Sequence, residues 1–289
     1  MRAVALDADG TARLEERPEP FGSGELVHVR GCGLCGSDLE KLGPGGRAGA
    51  VLGHEIAGER EDGTRVTVMH RVPCGRCERC RAGHGSTCEE FGRIRIDPGG
   101  FAERLRATHV VPLPGGLGDL DGIWVEPLAC VLRAAGHVPR GSVHVVGCGA
   151  IGLLWVQVLA GRRDEVSVSD PRDDRLRRAL ELGAAAGGDE AGAAVLTAHG
   201  GVEDALRHLA PGGTLLVFAS PAPASLDAVY RRELRLVGSR SALPAHFAAA
   251  IELLPSLTLP PVDVLPLERF AEGVHRYRSG AALKVAFVP

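Results

Sequence analysis

Lysine is almost missing from this chain: of 33 basic residues only Lys41 and Lys284 are lysines, so arginine carries nearly all the positive charge. That bias reads as a coding preference and carries no binding signal. Net charge is also lacking, since 36 acidic residues leave a formal charge of -3, with no long-range pull toward phosphate backbones or anionic lipid. Nucleic acid and membrane are therefore not expected as partners. The opening MRAVALDADGTARLEER has no apolar core behind a basic start, so no secretory signal is read and a reducing cytoplasm is expected, where cysteines serve as thiolates. One run, Val143 to Gly161, approaches the length of a membrane helix, but His144, Gln157 and spaced glycines interrupt it. It reads as a buried strand, a tight turn and a buried helix.

What is present is enough chain for one large or two ordinary domains: 289 residues, 45% hydrophobic, with 40 Gly and 19 Pro implying many turns. Up to about residue 115 the sequence is broken every few positions by Gly and Pro, with short β-rich runs such as Glu25 to Val29 and Thr64 to Met69. That texture predicts an irregular, mostly β domain. From about Gly141 strands and helices alternate: VHVVG, a helix to about Gly161, EVSVSD, a helix through DDRLRRALELG, then AAVLTA, EDALRHLA, GTLLVFAS and ELRLVGS. Alternation of this kind predicts a parallel sheet with helices on its faces. An Ala-rich helix after Pro244, a Pro-rich link (LPPVDVLP) and a closing strand ALKVAFV end the chain.

Cys74, Cys77, Cys80 and Cys88 follow C-x2-C-x2-C-x7-C, which gathers four thiolates in one loop and suits a structural zinc with no open position. An iron–sulfur cluster is the rival, but bacterial ferredoxin loops close with C-x3-C-P, and here Arg76, Glu78, Arg79 and Arg81 fill the loop. Four unligated thiols so close together would oxidise. A second, looser set is Cys35 in GCGLCGSD, His54 and Glu55 in GHEIAG, and Glu126 in VEPLAC, with Cys130 as a competing ligand. A catalytic zinc takes three such ligands and leaves the fourth position open. Each of these residues also has a packing or helix-start reading.

Gly147, Gly149 and Gly152 form G-x-G-x-x-G around Ile151, directly after VHVV. Placed between a strand and a helix, such glycines let the backbone approach a pyrophosphate. Asp170 ends the next strand, where an acid accepts hydrogen bonds from the adenosine ribose and repels a 2′-phosphate, favouring NAD. Arg172 and Arg175 follow closely and keep NADP open.

In this order GCGLCGSD, GHEIAG, the four-cysteine lobe, GGFAE, EPLAC and the glycine turn resemble the zinc-dependent medium-chain dehydrogenases, the alcohol and polyol dehydrogenase family. The resemblance implies an α/β fold in two parts. Residues 1–138 and 245–289 would form a GroES-like catalytic domain carrying the structural zinc lobe 74–88, and residues 139–244 a Rossmann domain. It implies two zinc ions per chain, with Cys35, His54 and Glu126 on the catalytic ion, Glu55 as a carboxylate that can approach it, and Asp38 orienting the ligating histidine. Ser37 matches the hydroxyl that passes the alcohol proton outward. Glu40 stands where the relay often has histidine, and is read as a base or a surface charge. Glutamate in EPL points to the sorbitol and polyol branch, and Arg240 stands where some relatives carry a substrate-side arginine. The implied activity is a zinc-dependent, NAD-linked oxidation of a secondary alcohol of a polyol, sugar or cyclitol, in a homodimer or homotetramer. An NADP-linked aldehyde or ketone reductase, or a dinucleotide-binding relative without turnover, stands as the alternative. The chain is shorter than such proteins, and the quick passage from LELGAAAGG to AAVLTAHGG predicts that a helix and a strand of the Rossmann sheet are trimmed.

Overall fold

A computed structural model describes residues 1–289. The chain divides into two compact units, one of Met1–Pro127, Leu243–Ser256 and Pro260–Pro289, the other of Leu128–Ala242 and Leu257–Leu259. The divisions expected from sequence fall at 138/139 and 244/245, whereas the compact units divide at 127/128 and 242/243.

The first unit is built on a curled, eight-stranded sheet whose main path runs Val262–Pro266, Lys284–Val288, Glu25–Gly33, Glu55–Glu59, Arg65–Val68 and Val110–Pro112. All pairings along it are antiparallel except that of Val262–Pro266 with Lys284–Val288. The alternation in these strands sends Val27, Val29, Ile56, Val66, Val68, Val285 and Phe287 into one core with Phe101 and Phe270, as a half-buried pleat requires. Val262–Pro266 corrects the reading of LPPVDVLP as a link. Proline is tolerated there because the strand is at the sheet edge and Pro266 is its last residue.

The second unit is a six-stranded parallel sheet in the order Ala185–Ala186, Glu165–Ser169, Ser142–Val146, Ala191–Leu196, Leu209–Val217, Arg235–Gly238. Numbered along the chain this is 3-2-1-4-5-6, the Rossmann order. The expectation of a lost strand is thus corrected: the third strand survives as two residues, too short to leave a pattern. What replaces a helix between the third and fourth strands is the link Gly187–Glu190. Gly188, at φ +127°, runs so close to Ser167 that an added Cβ would stand 2.7 Å from its hydroxyl. The stretch Val143 to Gly161 resolves into the strand Ser142–Val146 and the helix Ala150–Gly161, and no helix of the chain is long and apolar enough to cross a membrane.

Candidate active site

In the first unit, the sequence CGSDL turns from the strand Glu25–Gly33 into one helical turn, Gly36–Leu39, and points Asp38 inward, where it is fully buried. Asp38 accepts the Cys35 amide at 3.2 Å through Oδ2, while Oδ1 accepts the Gly53 amide at 3.4 Å and lies 3.4 Å from His54 Nδ1. A carboxylate so placed fixes the imidazole's orientation and leaves its other nitrogen for a ligand. Burial opposes charge on both groups. It is outweighed by their mutual attraction, which lowers the Asp38 pKa, and His54, with Cys35 also beside it, is raised well above its ordinary value.

Donor atoms converge on His54 from two sides. Cys35, His54 and Glu55 offer atoms within 4.8 Å of one another, and so do His54, His70 and Glu126. The three residues that the resemblance assigns to one ion therefore meet in two overlapping groups that share His54, and Cys130 is in neither. Thiolate, imidazole and carboxylate are the donors a catalytic zinc uses, and Asp38 supplies the support such a histidine needs, so the residues fit the metal. Glu55 is buried and ion-paired through Oε2 with the buried Lys284, whose Nζ also donates to the Leu34 carbonyl at 3.1 Å. Gly33 makes room for this pair, since a Cβ there would stand 2.2 Å from Glu55 Oε2.

His70 and Lys284 were not singled out from sequence. A signal for His70 existed, a histidine closing the apolar strand just before PCGRC, whereas Lys284 is joined to Glu55 only by the fold. The His70 ring lies 4.6 Å from that of His54, and burial, with the His54 charge next, pulls its pKa well below the ordinary range. Ser37 donates its hydroxyl to Cys35 Sγ at 3.4 Å. Glu40 is exposed, capping the same helical turn.

The four-cysteine lobe holds unpaired thiols whose donor atoms all lie within 4.8 Å of one another. Cys74 and Cys80 sulfurs are 4.0 Å apart and those of Cys77 and Cys88 3.8 Å, against about 3.8 Å for the edge of a tetrahedron with zinc–sulfur bonds of about 2.3 Å. Backbone N–H groups aim at the sulfurs, from Cys74 and Glu90 to Cys88 and from Cys77 to Cys74. Donation from the Glu89 and Cys80 backbone N–H groups pulls the Cys77 thiol down to about 6.

In the second unit, Gly147 turns the chain at φ +98°, and a Cβ on Gly152 would stand 1.9 Å from the Gly147 carbonyl oxygen. Gly149 caps the helix Ala150–Gly161, whose first turn holds the half-buried Ile151. Asp170 accepts the Cys148 amide at 2.7 Å and the Arg172 amide at 2.9 Å, which sets the carboxylate beside the glycine turn. The Arg172 guanidinium is paired with Asp174, and an Arg175 nitrogen would lie 3.8 Å from a Cβ on Gly149. The Arg240 side chain is exposed, and its carbonyl accepts a hydrogen bond from Arg133 at 2.8 Å.

A further group, His144, Asp204 and His208, also offers clustered donors. Its two rings stack at 3.8 Å and 24°, so their in-plane lone pairs run side by side and do not converge. Both His144 nitrogens lie within hydrogen-bond distance of hydroxyls, those of Ser167 and Ser169, and Ser169 donates to Asp204 at 2.6 Å. This is a polar network of the sheet face.

Comparison with known proteins gives the following likenesses. The alcohol dehydrogenase GroES-like domain matches residues 23–115. D-altritol 5-dehydrogenase of Agrobacterium fabrum is 34% identical over 83% of this chain and 84% of its own length. Sorbitol dehydrogenase of Halalkalibacterium halodurans is 29% identical over 100% of this chain and 99% of its own. Among solved structures, galactitol-1-phosphate dehydrogenase from Escherichia coli superposes with a TM-score of 0.82 at 26% identity, covering 100% of both chains.

Proposed function

We propose that this chain, which belongs to the zinc-dependent medium-chain dehydrogenase/reductase family, oxidises a secondary alcohol of a polyol, sugar or cyclitol, or reduces the matching ketone, using NAD(H). The observation that carries this reading is the convergence of Cys35 and Glu55 from one side and Glu126 from the other on one oriented histidine, His54. Cys35, His54 and Glu126 would hold the catalytic ion, and Cys74, Cys77, Cys80 and Cys88 the structural one. The altritol, sorbitol and galactitol phosphate dehydrogenases among its relatives support the polyol class.

When bound, zinc supplies Lewis-acid polarisation of the substrate oxygen and the dinucleotide supplies a hydride acceptor. The chain's own residues do the rest. Asp38 holds the His54 ring through Nδ1, so the other nitrogen faces the donor cluster. Ser37 Oγ stands beside the Cys35 sulfur, where a hydroxyl can accept the alcohol proton and pass it outward. Lys284 pairs with Oε2 of Glu55 and so removes that oxygen from competition for the metal. The glycine turn gives the pyrophosphate a helix N-terminus, and Asp170 meets the ribose, which favours NAD.

Self-association as a homodimer or homotetramer belongs to the same reading. Its support is the unpaired edge of Arg235–Gly238, with Leu226, Tyr230 and Leu236 exposed nearby. The gathering of Cys74, Cys77, Cys80 and Cys88 at metal-ligand spacing, which requires thiolates, supports a reducing, cytoplasmic location.

The test is metal analysis with a cofactor assay. Two zinc ions per chain and growth of the reduced nicotinamide absorbance with NAD and a polyol panel are expected. Preference for NADP with aldehydes would favour the reductase, and a single zinc without turnover would favour the dinucleotide binder.

A further inference from the structure

Of the side chains gathered around His54, His70 keeps a polar atom unpaired: its Nδ1 is shut off from solvent with no hydrogen-bond partner. A buried nitrogen left this way is costly until a partner arrives. The ring lies 4.6 Å from that of His54, and one of its nitrogens is within 4.8 Å of donor atoms of both His54 and Glu126. On the proposed ligand set of Cys35, His54 and Glu126, a fourth protein ligand would close an open zinc site, which leaves His70 for another role.

We infer that His70 is a substrate-recognition residue, binding a hydroxyl on the carbon next to the carbinol that is oxidised. The inference rests on the polyol reading and names the side chain that senses the substrate's second oxygen. In a vicinal diol the two oxygens are about a hydrogen-bond length apart, so when one is directed at the His54 and Glu126 donors the other falls within reach of the neighbouring ring. A neutral imidazole accepts at one nitrogen and donates at the other, and a hydroxyl can meet either. An alcohol lacking that hydroxyl gains no such partner, so the site prefers the diol.

The experiment uses the zinc- and dinucleotide-loaded protein with a matched pair, butane-2,3-diol and butan-2-ol. Wild type and His70→Phe are compared by kcat/KM with NAD, by the dissociation constant of each alcohol with NADH bound, where no turnover occurs, and by zinc per chain. The preference of the wild type for the diol, in both rate and binding, is expected to fall at least about tenfold in His70→Phe. Butan-2-ol values and zinc content should stay unchanged, and His70→Asn, which keeps a hydrogen-bonding side chain, should recover part of the preference. Equal losses on both alcohols, an unchanged preference, or loss of zinc would each overturn the inference. Failure of the polyol reading looks different: wild type then neither binds nor oxidises either alcohol, and the role of His70 falls with it.

Discussion

Lys284 and Glu55 form an ion pair in which both side chains are almost fully buried, 3% and 2% exposed. The ammonium sits 5.6 Å from the Trp124 ring centre and donates to the Leu34 carbonyl, so one of only two lysines in the chain ties the last strand to the wall of the His54 cluster. Removing the lysine would strand a carboxylate in the core. Lys284→Met is expected to cost about 3–5 kcal/mol, whereas Lys284→Met combined with Glu55→Gln should recover a large part of it. Denaturant unfolding of the two variants and wild type measures this. A single variant losing under about 1 kcal/mol, the range of exposed pairs, would mean the pair is solvated.

The sulfur spacing in the four-cysteine lobe leads to a metal-removal prediction. Cys77→Ser takes away a donor whose sulfur stands 3.8 Å from that of Cys88, and a closed zinc site with three ligands loses affinity steeply. Zinc per chain should drop from two to one, with the lobe 74–88 becoming the first site of proteolytic nicking while the Cys35 site keeps its ion. Loss of both ions together would show that the two sites are not independent.

Acid should weaken the second unit through His144. Burial, then the nearby His208 charge, lowers its pKa from 6.5 to about 4. The folded value lies below the unfolded one, so between these pH values the unfolded chain binds a proton that the native chain refuses. Stability is therefore intact above about pH 6.5 and is lost as pH falls toward about 4. With the ring fully buried, the loss is on the order of 3 kcal/mol. Unfolding free energies at several pH values check it, and His144→Leu should flatten the slope. An unchanged slope in that variant would place the acid sensitivity elsewhere.

How far the sequence revealed this molecule depended on the range of each interaction. The strand Ser142–Val146, the glycine turn and the helix Ala150–Gly161 were legible because their apolar run and glycine spacing are local. So were the four cysteines, gathered within one loop. The strand Ala185–Ala186 was not, because two residues have no period and only pairing with Ser167 and Val168 defines them. The strand Val262–Pro266 was hidden by flanking prolines, which an edge position tolerates. At the candidate site, Cys35, His54 and Glu126 stood in motifs, but the division of donors into two groups around His54 depends on how strands distant in sequence pair.

Cofactor selection should respond to Asp170, whose carboxylate is held beside the glycine turn by the Cys148 and Arg172 amides. Asp170→Ser removes the ribose acceptor and the charge that repels a 2′-phosphate. The kcat/KM with NAD is expected to fall about tenfold or more, equivalent to about 1.4 kcal/mol, while that with NADP rises. In contrast, Gly152→Ala should abolish binding of either dinucleotide, since its Cβ would stand 1.9 Å from a backbone oxygen. Fluorescence titration with NADH and NADPH reads both effects. An Asp170→Ser enzyme with unchanged preference would move the choice to Arg172 and Arg175.

Proton transfer gives the last test. The Ser37 hydroxyl donates to Cys35 Sγ at 3.4 Å, close enough to the donor cluster to receive a proton from an alcohol by rotating about one bond, while Glu40 faces solvent. Ser37→Ala leaves the sulfur in place, so zinc per chain should stay at the wild-type value while turnover falls about a hundredfold, the lower end for a positioned proton acceptor. Ser37→Thr, which keeps the hydroxyl, should retain most of the rate. Glu40→Gln should change turnover little if it is a surface charge. If Ser37→Ala turns over at the wild-type rate and Glu40→Gln does not, the proton leaves through the carboxylate and the hydroxyl serves only the thiolate.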